Sequence, residues 1–469
     1  MKKIITPILV TLILALLITA CAPRNITPSA AISATPATAV PTATKVVSTA
    51  TEIPAITADP ATLKGLQIQF MHPWSGKTAE EMAKLTDEFN QTNDWGIHVI
   101  VQEPGSSGQV ASELASDIAS GNQPALVAAP VDVLLKLNQS EKVIEDLNPY
   151  LFSMDWGLAS AELADLVAAY MQQDSVNGFQ YAFPAQRTAV MMFYNSTWAR
   201  ELGFSRAPAT FADFRQQSCA ANAAMKKDSD SNNDGLGGWI VNTEGLITYS
   251  WWTGFNSVLV TDGKYTFDTP AASTAFEGVH DLYTTGCAWI PRVLTSYDYF
   301  AKRQALFYSA YLQDILPQIQ ALAANGSPDA WTLIPFPSSG TQRVVVEGPS
   351  YAVLKTTPEK QLASWLFIRW LSSPDQQVRL LQSSLTLPLS KSVRDQLLNS
   401  PNTPQQWKDA VTAIANPVPV PSDPNWSLAR TILEDASWQL FKTTLTNADI
   451  PALLSQMDST FAELKDRQP

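Results

Sequence analysis

Histidine and cysteine are scarce in this chain, three of each in 469 residues. His72, His98 and His280 lie far apart, and beyond Cys21 only Cys219 and Cys287 remain, so nothing completes a zinc set. Charge is equally sparse. Only 16% of residues carry it, and 43 acidic against 31 basic residues leave a net −12. That balance argues against nucleic acid and against charge-driven binding to anionic lipid, both of which need a basic patch. Catalytic signatures are missing too: there is no G-x-S-x-G elbow, no H-E-x-x-H helix and no Walker loop. Glu103, Asp132 and Glu347 could in principle form a glycosidase carboxylate pair, yet no motif joins them. The expectation is a protein that is not an enzyme and requires no cofactor.

What is present is apolar and aromatic. With 45% hydrophobic residues and 14 Trp, the chain can build a core and still leave aromatic surface for a neutral polar ligand. Its one long apolar run is at the start. Lys2 and Lys3 precede an apolar stretch over 4–18, and LITAC follows at 17–21. A charged n-region, an apolar h-region and small residues at a cut site describe an export signal over 1–20, and the run is short for a stable membrane span. Cys21 directly after small residues resembles the lipobox of bacterial lipoproteins, in which that Cys is acylated and becomes the first residue. The expected location is the extracellular face of the cytoplasmic membrane, held by this lipid anchor.

Residues 21–62 are mostly Thr, Ala, Pro, Ser and Val. Such a stretch cannot repay its ordering entropy and reads as a disordered tether, or as a sugar-carrying stalk. Export permits a disulfide between Cys219 and Cys287, the alternative being two buried free thiols.

Beyond residue 63 strands and helices alternate. LQIQF at 66–70 reads as a strand, 78–92 as a helix opened by a Thr78/Glu81 capping box, 97–101 as a strand, 110–120 as a helix and 125–129 as a strand, with another helix from Asp132. This pattern predicts an α/β fold with an open, mostly parallel sheet, whose strand ends carry Trp74, Ser107 and Asp132 to one rim. A second α/β body starts near 182–194. It includes helices at 211–227 and 274–285 and a strand at 331–335. A strand at 344–354 is kinked by Gly348-Pro349, and a helix is expected over 359–372.

The order of these segments resembles the extracellular solute-binding proteins of ABC transporters, the group that includes the maltose-binding protein. The resemblance is carried by the strand, Trp74-Ser75-Gly76 loop and helix at the start; by 114–124; by GFQYAFPAQRTAVMMFYN at 178–195; by 300–308; and by 365–374 with Leu387-Pro388. It implies the type II two-lobe periplasmic-binding-protein-like fold, with hinge-crossing strands and a ligand cleft between lobes. Lobe one would hold 64–184 plus 338–386, and lobe two 187–334 plus 388–469. It further implies a monomer that captures a small molecule, here a mono- or oligosaccharide, and hands it to permease subunits. A polyamine, a glycerol phosphate ester, a glycan-acting enzyme or an adhesin are the alternatives.

Site residues follow from position and chemistry. Trp74 either stacks on a sugar or packs on its own helix. One of Trp251 and Trp252 is expected at the cleft, since relatives place an aromatic segment there, and Trp426 is a further stacking candidate. Arg187 sits beside the crossover, to reach the cleft or to bridge the lobes. Glu347 and Ser350 flank the kink, Tyr308 and Ser309 occupy the matching pocket loop of lobe two, and Ser107 and Asp132 complete the set. Separately, Asp228, Asp230, Asn232 and Asp234, with the Leu236 carbonyl, resemble the start of a calcium loop. The usual twelfth-position Glu is replaced by Val241, and the alternative is a solvated polar turn.

Overall fold

A computed structural model describes residues 56–293 and 295–467. The signal segment, Cys21 and the tether as far as residue 55 lie outside the described residues. The folded body begins earlier than residue 64. Ile56 and Ala58 pack on the first core, and Asp59 accepts a bond from the Ala61 N–H to open the short turn Pro60–Leu63, whose Leu63 is fully buried.

Two sheets organise the body. The first has the order His98–Gln102, Gln67–Met71, Leu126–Ala129, Ser350–Val353 and Phe183–Pro184. Its first three strands are parallel, and Ser350–Val353 runs antiparallel to both neighbours. The helix Gly76–Thr92 covers it through Met82, Leu85 and Phe89, and Pro358–Leu371 through Leu362, Trp365 and Leu366. The helix starts at Gly76 behind Ser75, not at Thr78, so the expected capping box is absent.

The second sheet runs Ala288–Trp289, Gly237–Ile240, Ala305–Tyr311, Thr188–Asn195, Val344–Glu347 and Pro417–Pro419, with Trp331–Ile334 also paired to Thr188–Asn195. Every residue of Thr188–Asn195 is buried, as its unbroken apolar run requires of a central strand covered on both faces. Val344–Glu347 pairs with Thr188 and Ala189, so residues 344–347 belong to the second sheet and not to lobe one as expected. The chain returns to the first sheet at Gly348-Pro349. A Cβ on Gly348 would stand 2.2 Å from the Gln186 carbonyl oxygen, so only glycine lets the two crossing segments touch there.

Cys219, on the helix Phe211–Met225, is bonded to Cys287, beside the edge strand Ala288–Trp289. Among the described residues no helix is long and apolar enough to cross a membrane. The bridge closes a loop of 68 residues. Replacing both cysteines by Ser should lower unfolding free energy by about 4.4 kcal/mol on the chain-entropy account. Urea denaturation in the absence of reductant checks this, and an unchanged midpoint would refute it.

Candidate functional site

Several strands and helices end around one cleft of about 760 Å³. From the first sheet's side come Ser107, at the start of Ser107–Ser120, and Asp132, in the first turn of Val131–Glu141. Glu347, Gly348 and Pro349 supply the hinge. From the second side come Tyr311 at the end of its strand, Gln313, Asp314, and one face of the helix Trp426–Leu440 carrying Trp426, Ser427, Arg430, Thr431 and Glu434. This helix sits close because Gly245 faces it: a Cβ there would lie 2.2 Å from the Arg430 carbonyl oxygen.

Polar contacts knit the walls. The Ser427 hydroxyl donates to Asp132 across the cleft. Arg430 donates to Glu347 Oε2 at 2.9 Å and to the Tyr311 hydroxyl oxygen at 3.0 Å, and that hydroxyl donates to Glu244 at 3.0 Å. Burial raises the Asp132 carboxyl above its usual range, against the pull of Ser427 and first-turn N–H groups. Burial likewise raises Glu347, with Arg430 opposing and Asp132 adding to the rise.

Of the expected ligand contacts, Ser107, Asp132, Glu347 and Trp426 line the cleft. Trp426 is 2% exposed and packs edge-on against Tyr249, so it offers an edge and not a broad shelf. The others lie elsewhere. Trp251 and Trp252 are both in the core of the second body: Trp251 packs on Phe214, Trp239 and Phe336, and Trp252 on Phe267 and Phe276. They belong to the helix Gly245–Gly254, all ten of whose residues are buried, so neither direction from it leads to the cleft. Tyr308 stacks on Phe193 at 4.5 Å, and Ser309 accepts from the Trp239 indole N–H at 3.1 Å. Both sit in a strand sandwiched on its two faces. Trp74 is 8% exposed and packs against Phe70, His72 and Tyr351.

Arg187 takes the bridging role. Fully buried, it donates to Asp174 at 2.9 and 3.1 Å, to Gln173 at 2.9 Å, to Ser350 at 3.0 Å and to the Gln186 and Pro349 carbonyls at 2.9 Å, above the ring of Tyr170. Ser350 is spent on this cluster and does not face the cleft.

In the loop 228–236, Asp228 accepts from the Asp230 N–H and from Asn233, and Asp230 from Asn232. The Leu236 carbonyl accepts from Asn222 at 2.7 Å, turned toward the helix behind. Among the described residues no three His, Cys, Asp or Glu side chains are arranged to hold a metal.

Tyr311, Asp314, Arg430 and Glu434 escaped the sequence reading. For two of them a signal existed, because positions four and eight beyond Trp426 share its helix face.

The family model for bacterial extracellular solute-binding proteins matches residues 84–415, well over half of the chain. The chain belongs to this family. Solved structures agree on the two-lobed α/β fold of this solute-binding protein. The sugar-binding protein MalE from Xanthomonas citri is 19% identical with a TM-score of 0.72, covering 86% of this chain and 100% of its own. The cyclic alpha-maltosyl-1,6-maltose binding protein from Arthrobacter globiformis is 16% identical with a TM-score of 0.68, covering 85% and 99%. UgpB from Mycobacterium tuberculosis, in complex with glycerophosphocholine, is 16% identical with a TM-score of 0.67, covering 86% and 99%. No curated protein sequence matches the chain significantly.

Removing the Arg187 guanidinium strands the buried Asp174 carboxylate. Arg187→Met should cost about 3–5 kcal/mol of stability, and adding Asp174→Asn should restore part of it. Urea unfolding of the two variants checks this. Equal losses in the single and double variant would show that the pair does not act as one.

Proposed function

We propose that this solute-binding protein captures a carbohydrate between its lobes and delivers it to an ABC transporter permease. The observation that carries the reading is the composition of the cleft. Hydroxyl, amide and carboxylate groups converge from both sides, and Asp132 and Ser427 already span it. A sugar hydroxyl both donates and accepts, so it can take over such a contact from each wall at once. A ligand that does so favours the closed arrangement, because only differential contacts shift that equilibrium. The relatives that bind maltosyl sugars lend support. The one guanidinium of the cleft is tied to Glu347, which leaves a glycerol phosphate ester poorly served. In this reading the protein is a monomer that returns its cargo unchanged.

Thermal unfolding of the full chain in detergent, against sugars, polyols, polyamines and phosphate esters, tests the proposal. A bound sugar at 100 times its Kd should add about 2.7 kcal/mol. Asp132→Asn should weaken it about tenfold or more, as expected for a hydrogen bond to a charged group. Shifts confined to phosphate esters or to bare polyamines would sink it.

We further propose that Cys21 carries the lipid that holds the protein at the extracellular face of the membrane. Metabolic labelling with a tagged fatty acid should mark the wild-type chain and leave Cys21→Ser unlabelled and released. Equal labelling of both would refute the anchor.

A further inference from the structure

We infer that Trp438 is a stacking platform at the mouth of the cleft, on which a sugar chain rests where it emerges. This rests on the carbohydrate reading above and adds a residue that selects the length of the guest. Of the 14 Trp, Trp438 alone is exposed, with 57% of its surface in water. Exposure by itself says little, since single apolar side chains are common on surfaces. Its place on the helix says more. In Trp426–Leu440, Ser427, Thr431, Glu434 and Trp438 fall within one sector of about 60°, at about 100° per residue. The first three line the cleft, and Trp438 continues their row one turn beyond Glu434. Among the described residues no ring packs on this indole and no acceptor takes its N–H, so its faces and its polar edge are both free.

The first-sheet wall leaves room for a guest to follow that row. Next to the hinge strand Ser350–Val353 lies Leu126–Ala129, which leads to Asp132 and its contact with Ser427. Two places further out lies His98–Gln102, which leads to the helix Ser107–Ser120. At about 4.8 Å per strand this wall extends about 10 Å outward from the Asp132 contact. Its lining there is Ser107, Gly108 and Ala111, all small, and a Cβ on Gly108 would meet nothing within 4 Å. A pyranose ring carries hydroxyls at its edge and C–H groups on its faces. The polar groups of the cleft suit the edge, and an indole face suits the C–H face. Along the helix axis about 16 Å separate Ser427 from Trp438, so one or two rings held at Ser427 stop short of the indole and a chain of about four reaches it.

Titration calorimetry on the full chain in detergent tests this with two series, glucose through maltose to maltohexaose and glucose through cellobiose to cellohexaose. In one series the longest members should bind about tenfold tighter than the two-ring member, the upper end of what one stacked aromatic contributes. Trp438→Ala should erase that gain while the two-ring member binds as before, and Trp438→Tyr should keep part of it. A wild-type chain without a preference for length, or Trp438→Ala retaining it, would overturn the platform and leave the carbohydrate reading standing. Equal loss for short and long members would also overturn the platform, since the indole would then act through the fold. Binding of no member of either series would overturn both.

Discussion

The contact on which the rest depends is the buried pair of Arg187 and Asp174. It sits where the chain crosses between the two sheets, with both side chains fully enclosed. A charge in that position is tolerable only if every donor finds an acceptor, and the guanidinium does so by gathering Gln173, Gln186, Pro349 and Ser350. The crossing strands are thereby held to each other by one planar group. Gln173 extends the reach, since its amide donates to the Val420 carbonyl at the floor of the cleft. The hinge and the ligand chamber are thus a single bonded assembly.

The chamber inherits its shape from this assembly. Glu347 is the last residue of a second-sheet strand and Gly348 the first step back toward the first sheet. That places a carboxylate in the cleft wall at the crossover, where burial and a neighbouring Asp132 make its ionisation harder. The helix Trp426–Leu440 then closes one side, brought near by Gly245.

Much of this was legible in the residues. Alternating strands and helices gave the α/β class. The two cysteines found each other as expected, whereas the Gly348-Pro349 kink, read within a single lobe-one strand, is where the chain passes from the second sheet to the first. The misplaced aromatics share one physical cause. Trp74, Tyr308 and one of Trp251 and Trp252 were candidates for the ligand by residue type or by place in the resemblance, but aromatics suit cores as well as sugars, and here burial won. The run ALFYSAY held a warning, since a strand without polar alternation is covered on both faces, and only its last residue, Tyr311, reaches the cleft. Arg430 and Tyr311 were out of reach for another reason. Their partnership joins positions more than a hundred residues apart, and no local pattern records it.

The burial of the aromatics also decides how the protein looks to light. Of its 14 Trp, Trp426 alone among the described residues lines the cleft. It stands one residue before the Ser427 that spans to Asp132, with Tyr249 against its ring. The indoles buried in the cores, such as Trp239, Trp251, Trp252 and Trp365, stand outside the cleft lining. Their emission forms a bright, constant background, on which opening and closing appear as a small change from one indole. Replacing core tryptophans with phenylalanine would dim that background and turn Trp426 into a built-in reporter of lobe movement.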